Sequence, residues 1–157
     1  MNTAQKENRV TSGNACRFGV PLGRSTDPIP VSAPHNLTIV SGNQTHEEIK
    51  IRVNWCSSFF SKFKGLMLVN SIPDFTGIIL VENAESRINT GIHMLFMKFD
   101  ITTVWVNANR EVVDVQLAKK WHLSYFPQKK AQYVIELNTN HLQDFHIGDH
   151  LLFVNEN

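Results

Sequence analysis

Cysteine is scarce in this chain: Cys16 and Cys56 are the only two among 157 residues, one in a polar tail and one where a helical pattern begins. A disulfide framework is therefore not expected, and the count suits a reducing compartment, which makes the cytoplasm the expected location. Charge of one sign is missing too. Lys and Arg number 15 against 14 Asp and Glu, a formal net charge of +1, so no overall field draws in nucleic acid or an anionic membrane. No apolar run reaches membrane-spanning length, and Lys6, Glu7, Asn8 and Arg9 interrupt the N-terminus before a secretory signal could form. Without such a signal, the acceptor patterns Asn36-Leu37-Thr38 and Asn43-Gln44-Thr45 are chance matches. A glycine-rich phosphate loop and a Gly-x-Ser-x-Gly elbow are also absent, which leaves the common nucleotide-dependent and hydrolase chemistries without support.

What is present is a β pattern. Residues 1–36 are dense in Asn, Ser, Thr and Gly and hold Pro21, Pro28, Pro30 and Pro34, a spacing through which neither helix nor ladder runs. They read as a disordered or loosely docked tail, and residues 37–157 as one domain. Leu37 to Val40 makes a short first strand. Ile49, Ile51, Val53 and Trp55 then alternate with Lys50, Arg52 and Asn54, as in a strand with one wet face. At Cys56 the period changes: Phe59, Phe60, Phe63, Leu66 and Met67 recur at helical spacing and predict a short amphipathic helix. Gly77 to Glu82 reads as a buried strand. The segment from Gly91 to Val115 is the most apolar of all, and its runs Ile92 to Phe99, Thr102 to Val106 and Glu111 to Leu117 predict a three-strand meander at the heart of the sheet. After an aromatic-bearing loop over 118–131, Gln132 to Asn138 alternates again. Thr139 caps one helical turn, and His150 to Val154 is the last strand. The expected fold is mainly β, a small single-domain β-barrel or sandwich of roughly seven or eight strands with two short helices, its mouth covered by the 118–131 loop.

An ordered series of short blocks goes further. Gly65-Leu66-Met67, Gly77-Ile78-Ile79-Leu80, Ile92-His93-Met94-Leu95-Phe96-Met97-Lys98-Phe99 with Val112-Val113 behind it, Val134-Ile135-Glu136-Leu137 and Gly148-Asp149 together resemble the domain of unknown function 192 family, also called uncharacterised protein family 0127. The resemblance covers roughly residues 45 to 154. It implies a compact all-β domain with small helices, and no established activity or cofactor. Three positions depart from the family's usual pattern. Asp100-Ile101-Thr102 stands where Pro, an apolar residue and Asp are usual, so the carboxylate is gone at Thr102. Arg110 replaces a turn glycine, and Thr139-Asn140 replaces an Ala-Gly pair, where Asn tolerates left-handed geometry. Trp121-His122 stands at the place of the family's usual Trp-Arg, with His replacing Arg.

Several residues carry chemistry, each beside a plainer role. His93 lies in the most apolar run and reads either as a general base or ligand hydrogen-bonder, or as a core histidine paired with a backbone carbonyl. Glu136 interrupts an apolar strand and Asp149 precedes the last one. Two carboxylates with separated pKa values could divide acid and base roles, whereas a wet-face Glu and a turn Asp would do nothing of the kind. The run from His141 to His150 holds three histidines and two carboxylates, but Gly148 is expected to scatter them, so no metal is predicted. Cys56 has no nucleophile motif around it. Lys119, Lys120, Lys129 and Lys130 flank Trp121, Tyr125 and Phe126 as in a single-strand nucleic-acid platform. The balanced charge and lack of an RNA-binding signature favour a solvated loop instead, and nucleic acid is not an expected partner.

The sequence thus predicts a non-catalytic small-ligand-binding or accessory domain without cofactor, with His93, Trp121, His122 and Glu136 lining a pocket and a small organic molecule, glycan-like or an anionic metabolite, stacked on Trp121. One alternative is an enzyme in which His93 and Glu136 form an acid/base pair. The other is a structural protein-interaction module.

Overall fold

Strands that alternate apolar and polar residues must pair their backbones and cover one face, and strands apolar on both faces must be covered twice. The computed structural model, which describes residues 24–25, 36–42, 48–56, 66 and 70–156, meets both demands with one sheet. Its strands are β1 (Arg24–Ser25), β2 (Asn36–Gly42), β3 (Glu48–Cys56), β4 (Thr76–Ser86), β5 (Ile101–Val106), β6 (Val112–Ala118), β7 (Ala131–Leu137) and β8 (His150–Glu156). They lie in the order β1-β8-β2-β3-β4-β7-β5-β6. β3 and β4 run parallel, and the other neighbouring pairs run antiparallel.

The sheet packs on both faces. On one, Ile51, Val53, Ile79, Ile135, Leu137 and Phe153 join Val104 and Val106 in a core that Phe145 also enters. On the other, Ile78, Val134, Trp105 and Val113 are covered by Ile72, Ile92, Met94 and Met97 from connecting segments. Being sandwiched between the two cores, β5 is buried at every residue. Each large apolar side chain so covered contributes about 1.5–3 kcal/mol.

Three expectations are corrected. The sheet is not a closed barrel. Glu111, just before β6, forms an isolated bridge with His150 of β8, while the other end of β8 takes up β1, so among the described residues no ladder joins β6 to β8. Nor do the described residues hold two helices. The first lies outside the described residues apart from Leu66, and the second is a single 3₁₀ turn, Thr139–His141, capped by the Asn138 side chain rather than by Thr139. Among the described residues no helix is long and apolar enough to cross a membrane. Finally, Ile92 to Phe99 is not the central strand. Met97 N–H bonds back to Met94 O at 3.3 Å and Phe96 has φ 62°, so the run turns on itself and lays Ile92, Met94 and Met97 over the second face. An apolar run longer than an edge can use is equally served by covering a sheet as by joining it.

Of the three family departures, Thr102 is fully buried and its hydroxyl makes no hydrogen bond among the described residues. Arg110 does occupy a left-handed position, φ 65°, which costs a residue with a Cβ roughly 1–2 kcal/mol. Its guanidinium lies 5.2 Å from the centroid of the Phe153 ring, a cation–π contact that offsets part of this. Asn140 is in the 3₁₀ turn, and its Nδ2 donates to Asp74 Oδ1 at 3.0 Å.

Where β4 and β7 cross, Gly77 is required. A Cβ there would lie 2.6 Å from the carbonyl oxygen of Glu136 and 2.5 Å from Leu137 Cδ2. Backbone cannot step aside, so Gly77→Ala is expected to cost about 1–3 kcal/mol in urea denaturation. Gly91→Ala meets chiefly the ring of the half-exposed Phe126, which can swing, with the backbone oxygen of Ile88 farther off at 3.1 Å, and is expected to be the milder change. Equal losses at the two glycines would contradict this account.

Candidate functional site

On the second face, the β4–β7 pairing leaves a gap. β4 advances from Val81 to Ser86 while β7 advances only from Tyr133 to Ala131, so β4 bulges away past Val81. The space beside it is a pocket of about 240 Å³. Leu80 and Glu82 of β4, Val134 and Glu136 of β7 and Ile101 of β5 line it, with Leu66 and the segment 89–94 and Met97 as the remaining wall. The Gln132 side chain anchors the bulge, donating to Glu82 O at 3.1 Å.

Glu136 sits in the sheet with Ile78 of β4 on one side and Thr103 of β5 on the other. It is only 8% exposed and faces the pocket. Among the described residues its carboxyl makes no hydrogen bond or ion pair, and burial pushes its pKa up to about 7. A carboxyl poised there can donate or accept a proton near neutrality.

The opposite wall is held by its own backbone. Ser86 Oγ accepts from Ile88 N–H at 3.2 Å and from Asn89 N–H at 3.1 Å. Gly91 N–H closes the turn onto Ile88 O at 3.1 Å. Beneath it the fully buried Trp105 donates its indole N–H to Thr90 O at 2.7 Å, tying wall to sheet.

Over the outside of that wall runs the 118–131 loop, whose place differs from the one expected, since the open sheet offers no barrel mouth to cover. Ile92 and Tyr125 exchange backbone hydrogen bonds at 3.0 and 2.8 Å, Met94 N–H donates to His122 O at 3.0 Å and Trp121 N–H to Met94 O at 2.8 Å. The buried Asp114 secures the far end of the loop, its Oδ2 accepting from Gln128 N–H at 2.9 Å and from the Gln116 amide at 2.8 Å.

The structure therefore brings His93 and Glu136 into the lining of one pocket, with His93 on an exposed part of its wall. Trp121 and His122 are not in that lining. Trp121 is 61% exposed with φ 64°, its ring edge-on to Phe96 at 5.6 Å between centroids. The His122 ring stacks at a tilt on Tyr125, 4.4 Å away, and its Nδ1 is 3.1 Å from Ser124 O. Sequence reasoning missed Glu82, Thr90, Trp105 and Asp114. Asp114 alone carried a signal, a carboxylate in the middle of an apolar strand.

The histidine run is dispersed. His141 is buried, and its Nε2 accepts the N–H of Phe75 at 3.2 Å, which places the ring proton on Nδ1, donating to Asp144 Oδ2 at 2.7 Å. His146 and His150 are exposed, and Asp149 Oδ2 accepts from His146 N–H at 2.7 Å. Among the described residues no three His, Cys, Asp or Glu side chains are arranged to hold a metal ion.

Comparison with known proteins agrees with the blocks seen in the sequence. A UPF0127 protein of Thermococcus kodakarensis is 42% identical over 95 residues, 60% of this chain and 56% of that one. One of Pyrococcus furiosus is 38% identical over 90 residues, 57% of this chain and 74% of that one. The chain thus spans little more than half the length of the first of these relatives. A solved structure of a protein of unknown function from Novosphingobium aromaticivorans superimposes with a TM-score of 0.67 at 16% identity, over 83% of this chain and 92% of that one. A candidate transcription regulator from Sinorhizobium meliloti 1021 does so with a TM-score of 0.69 at 12% identity, over 75% and 93%. Such identities speak for the fold alone. The profile of DUF192, described as uncharacterized ACR, matches residues 40–153, most of the chain, and the protein belongs to that family.

Proposed function

We propose that this domain binds a small organic molecule in the pocket between β4, β7 and the 89–97 segment, without transforming it. The observation that carries this reading is Glu136: a carboxyl removed from water, without a partner among the described residues, facing a space otherwise walled mainly by apolar side chains. Leaving such a group unsatisfied costs about 1–3 kcal/mol, which a ligand supplying the missing hydrogen bond recovers. His93 stands at the wall to add a second polar contact. Trp121 and His122 act from outside, through the backbone bonds that hold the wall in place.

A thermal-shift screen of the full chain against a library of small organic molecules tests the proposal. A ligand at about 100 times its Kd adds about 2.7 kcal/mol and raises the Tm. Leu80→Trp, which fills the pocket from β4, should abolish every such shift, while Trp121→Ala leaves them in place. Shifts lost on Trp121→Ala and kept in Leu80→Trp would move the site to the loop surface, and a library without hits would end the reading.

One observation favours a second reading. His93 and Glu136 share the pocket, as an acid/base pair requires, and a carboxyl near pKa 7 is matched to proton transfer at neutral pH. Conversion of a bound hit over time, lost in Glu136→Gln, would replace binding with catalysis.

A further inference from the structure

Resting on the binding reading, we infer that the pocket selects small organic cations: an ammonium head against the Glu136 carboxylate and a short apolar body along Met94, Met97 and Ile101. The Glu136 carboxyl lines the space, and among the described lining residues there is neither lysine nor arginine. Glu136 is more than nine-tenths buried and unpartnered among the described residues, so the group that pairs with it arrives with the ligand. Thr103, directly opposite on β5 and therefore on the same side of the sheet, is fully buried with a hydroxyl that also lacks a hydrogen bond. An anionic ligand would set like charges together in a low-dielectric space, whereas an ammonium converts the cost of burying the carboxylate into a paired contact. The thioethers of Met94 and Met97 suit an alkyl chain of varied shape.

Among the described residues the other titratable groups lining this pocket are Glu82 from β4 and His93 from the 89–97 wall; β5 presents Ile101 and Thr103, and Leu66 is apolar. Because burial holds Glu136 partly protonated near neutrality, seating an ammonium drives its proton out to solvent. The sign follows: affinity for the cation rises as the pH rises through about 7.

Isothermal titration of the full chain with n-pentylammonium, n-pentanol and pentanoate compares a cation, a neutral molecule and an anion of one shape. At about pH 8 the ammonium is expected to bind on the order of tenfold more tightly than the alcohol, with the anion weakest, and the margin to narrow at about pH 6. Glu136→Gln is expected to erase the margin and its pH dependence, bringing the ammonium down to the affinity of the alcohol for the same variant. An alcohol or anion that binds as well as the ammonium overturns the inference but leaves the pocket standing. So does an ammonium preference unchanged in Glu136→Gln. Failure of all three probes, together with an unproductive library screen, removes the binding reading and this inference with it.

Discussion

Glu136→Gln is expected to make the protein about 3 kcal/mol more resistant to unfolding at pH 8 relative to its effect at pH 4.5. The carboxyl has an ordinary value of 4.5 and is pushed up to about 7 in the folded chain by burial. Between those values the native state holds a proton that the unfolded chain has released, so stability falls as the pH rises through the window. Below it both states are protonated and above it both are ionised, so the curve is flat on either side. Glutamine keeps the shape of the protonated acid and cannot ionise, which removes the slope. Against a typical domain stability of about 5–15 kcal/mol this is a large fraction. Urea midpoints of both proteins at the two pH values give the comparison directly. Parallel pH profiles would show that Glu136 ionises at its ordinary value, and the account of the pocket would lose its central group.

Trp105→Ala should be the most damaging single change on the second face. Trp105 is fully buried, and truncating a buried Trp to Ala costs about 3–5 kcal/mol. The change also strips Thr90 O of its 2.7 Å indole donor, leaving a buried acceptor at a further cost of about 1–3 kcal/mol. Trp105→Phe separates the two effects, since it keeps most of the ring and loses the hydrogen bond. In that variant the 86–92 wall should loosen, read as faster hydrogen exchange at Gly91 N–H, whose bond to Ile88 O closes the turn. Unchanged exchange at Gly91 would mean the wall stands without the indole. A loss in Trp105→Phe as large as in Trp105→Ala would assign the whole effect to the hydrogen bond.

The sheet was legible where the residues alternate. β3 was readable because Ile51 and Val53 enter the core while Lys50 is exposed, and β7 and β8 likewise by their apolar alternation. Closure was not legible. Whether β6 meets β8 along a ladder, or only Glu111 just before it bridges to His150, depends on where two distant edges end up, and period 2 is the same in either case. The run from Ile92 to Phe99 misled for a related reason. Its side chains are apolar on both sides, so burial alone cannot distinguish a strand in the sheet from a segment laid over it. The left-handed backbone at Phe96 that settles the matter is unforeseeable in a bulky residue.

His93 and Glu136 were singled out as polar interruptions of apolar runs, and the structure places both in one lining. Trp121 drew attention as a stacking face among the lysines of the 118–131 loop, and its ring lies outside that lining, against Phe96. Spacing by itself determined that this chain builds a mainly β domain, because alternation is a local property that survives any arrangement of the strands, and the ordered blocks from Gly65 to Asp149 carried the resemblance to the DUF192 family that the profile match bears out. Only the tertiary structure decided that the sheet stays open, that Glu136 faces a pocket beside Thr103, and that Trp105 anchors the wall across from it. Those facts are fixed by contacts between residues well separated along the chain, Thr90 with Trp105 and Thr103 with Glu136, and no single element contains both partners.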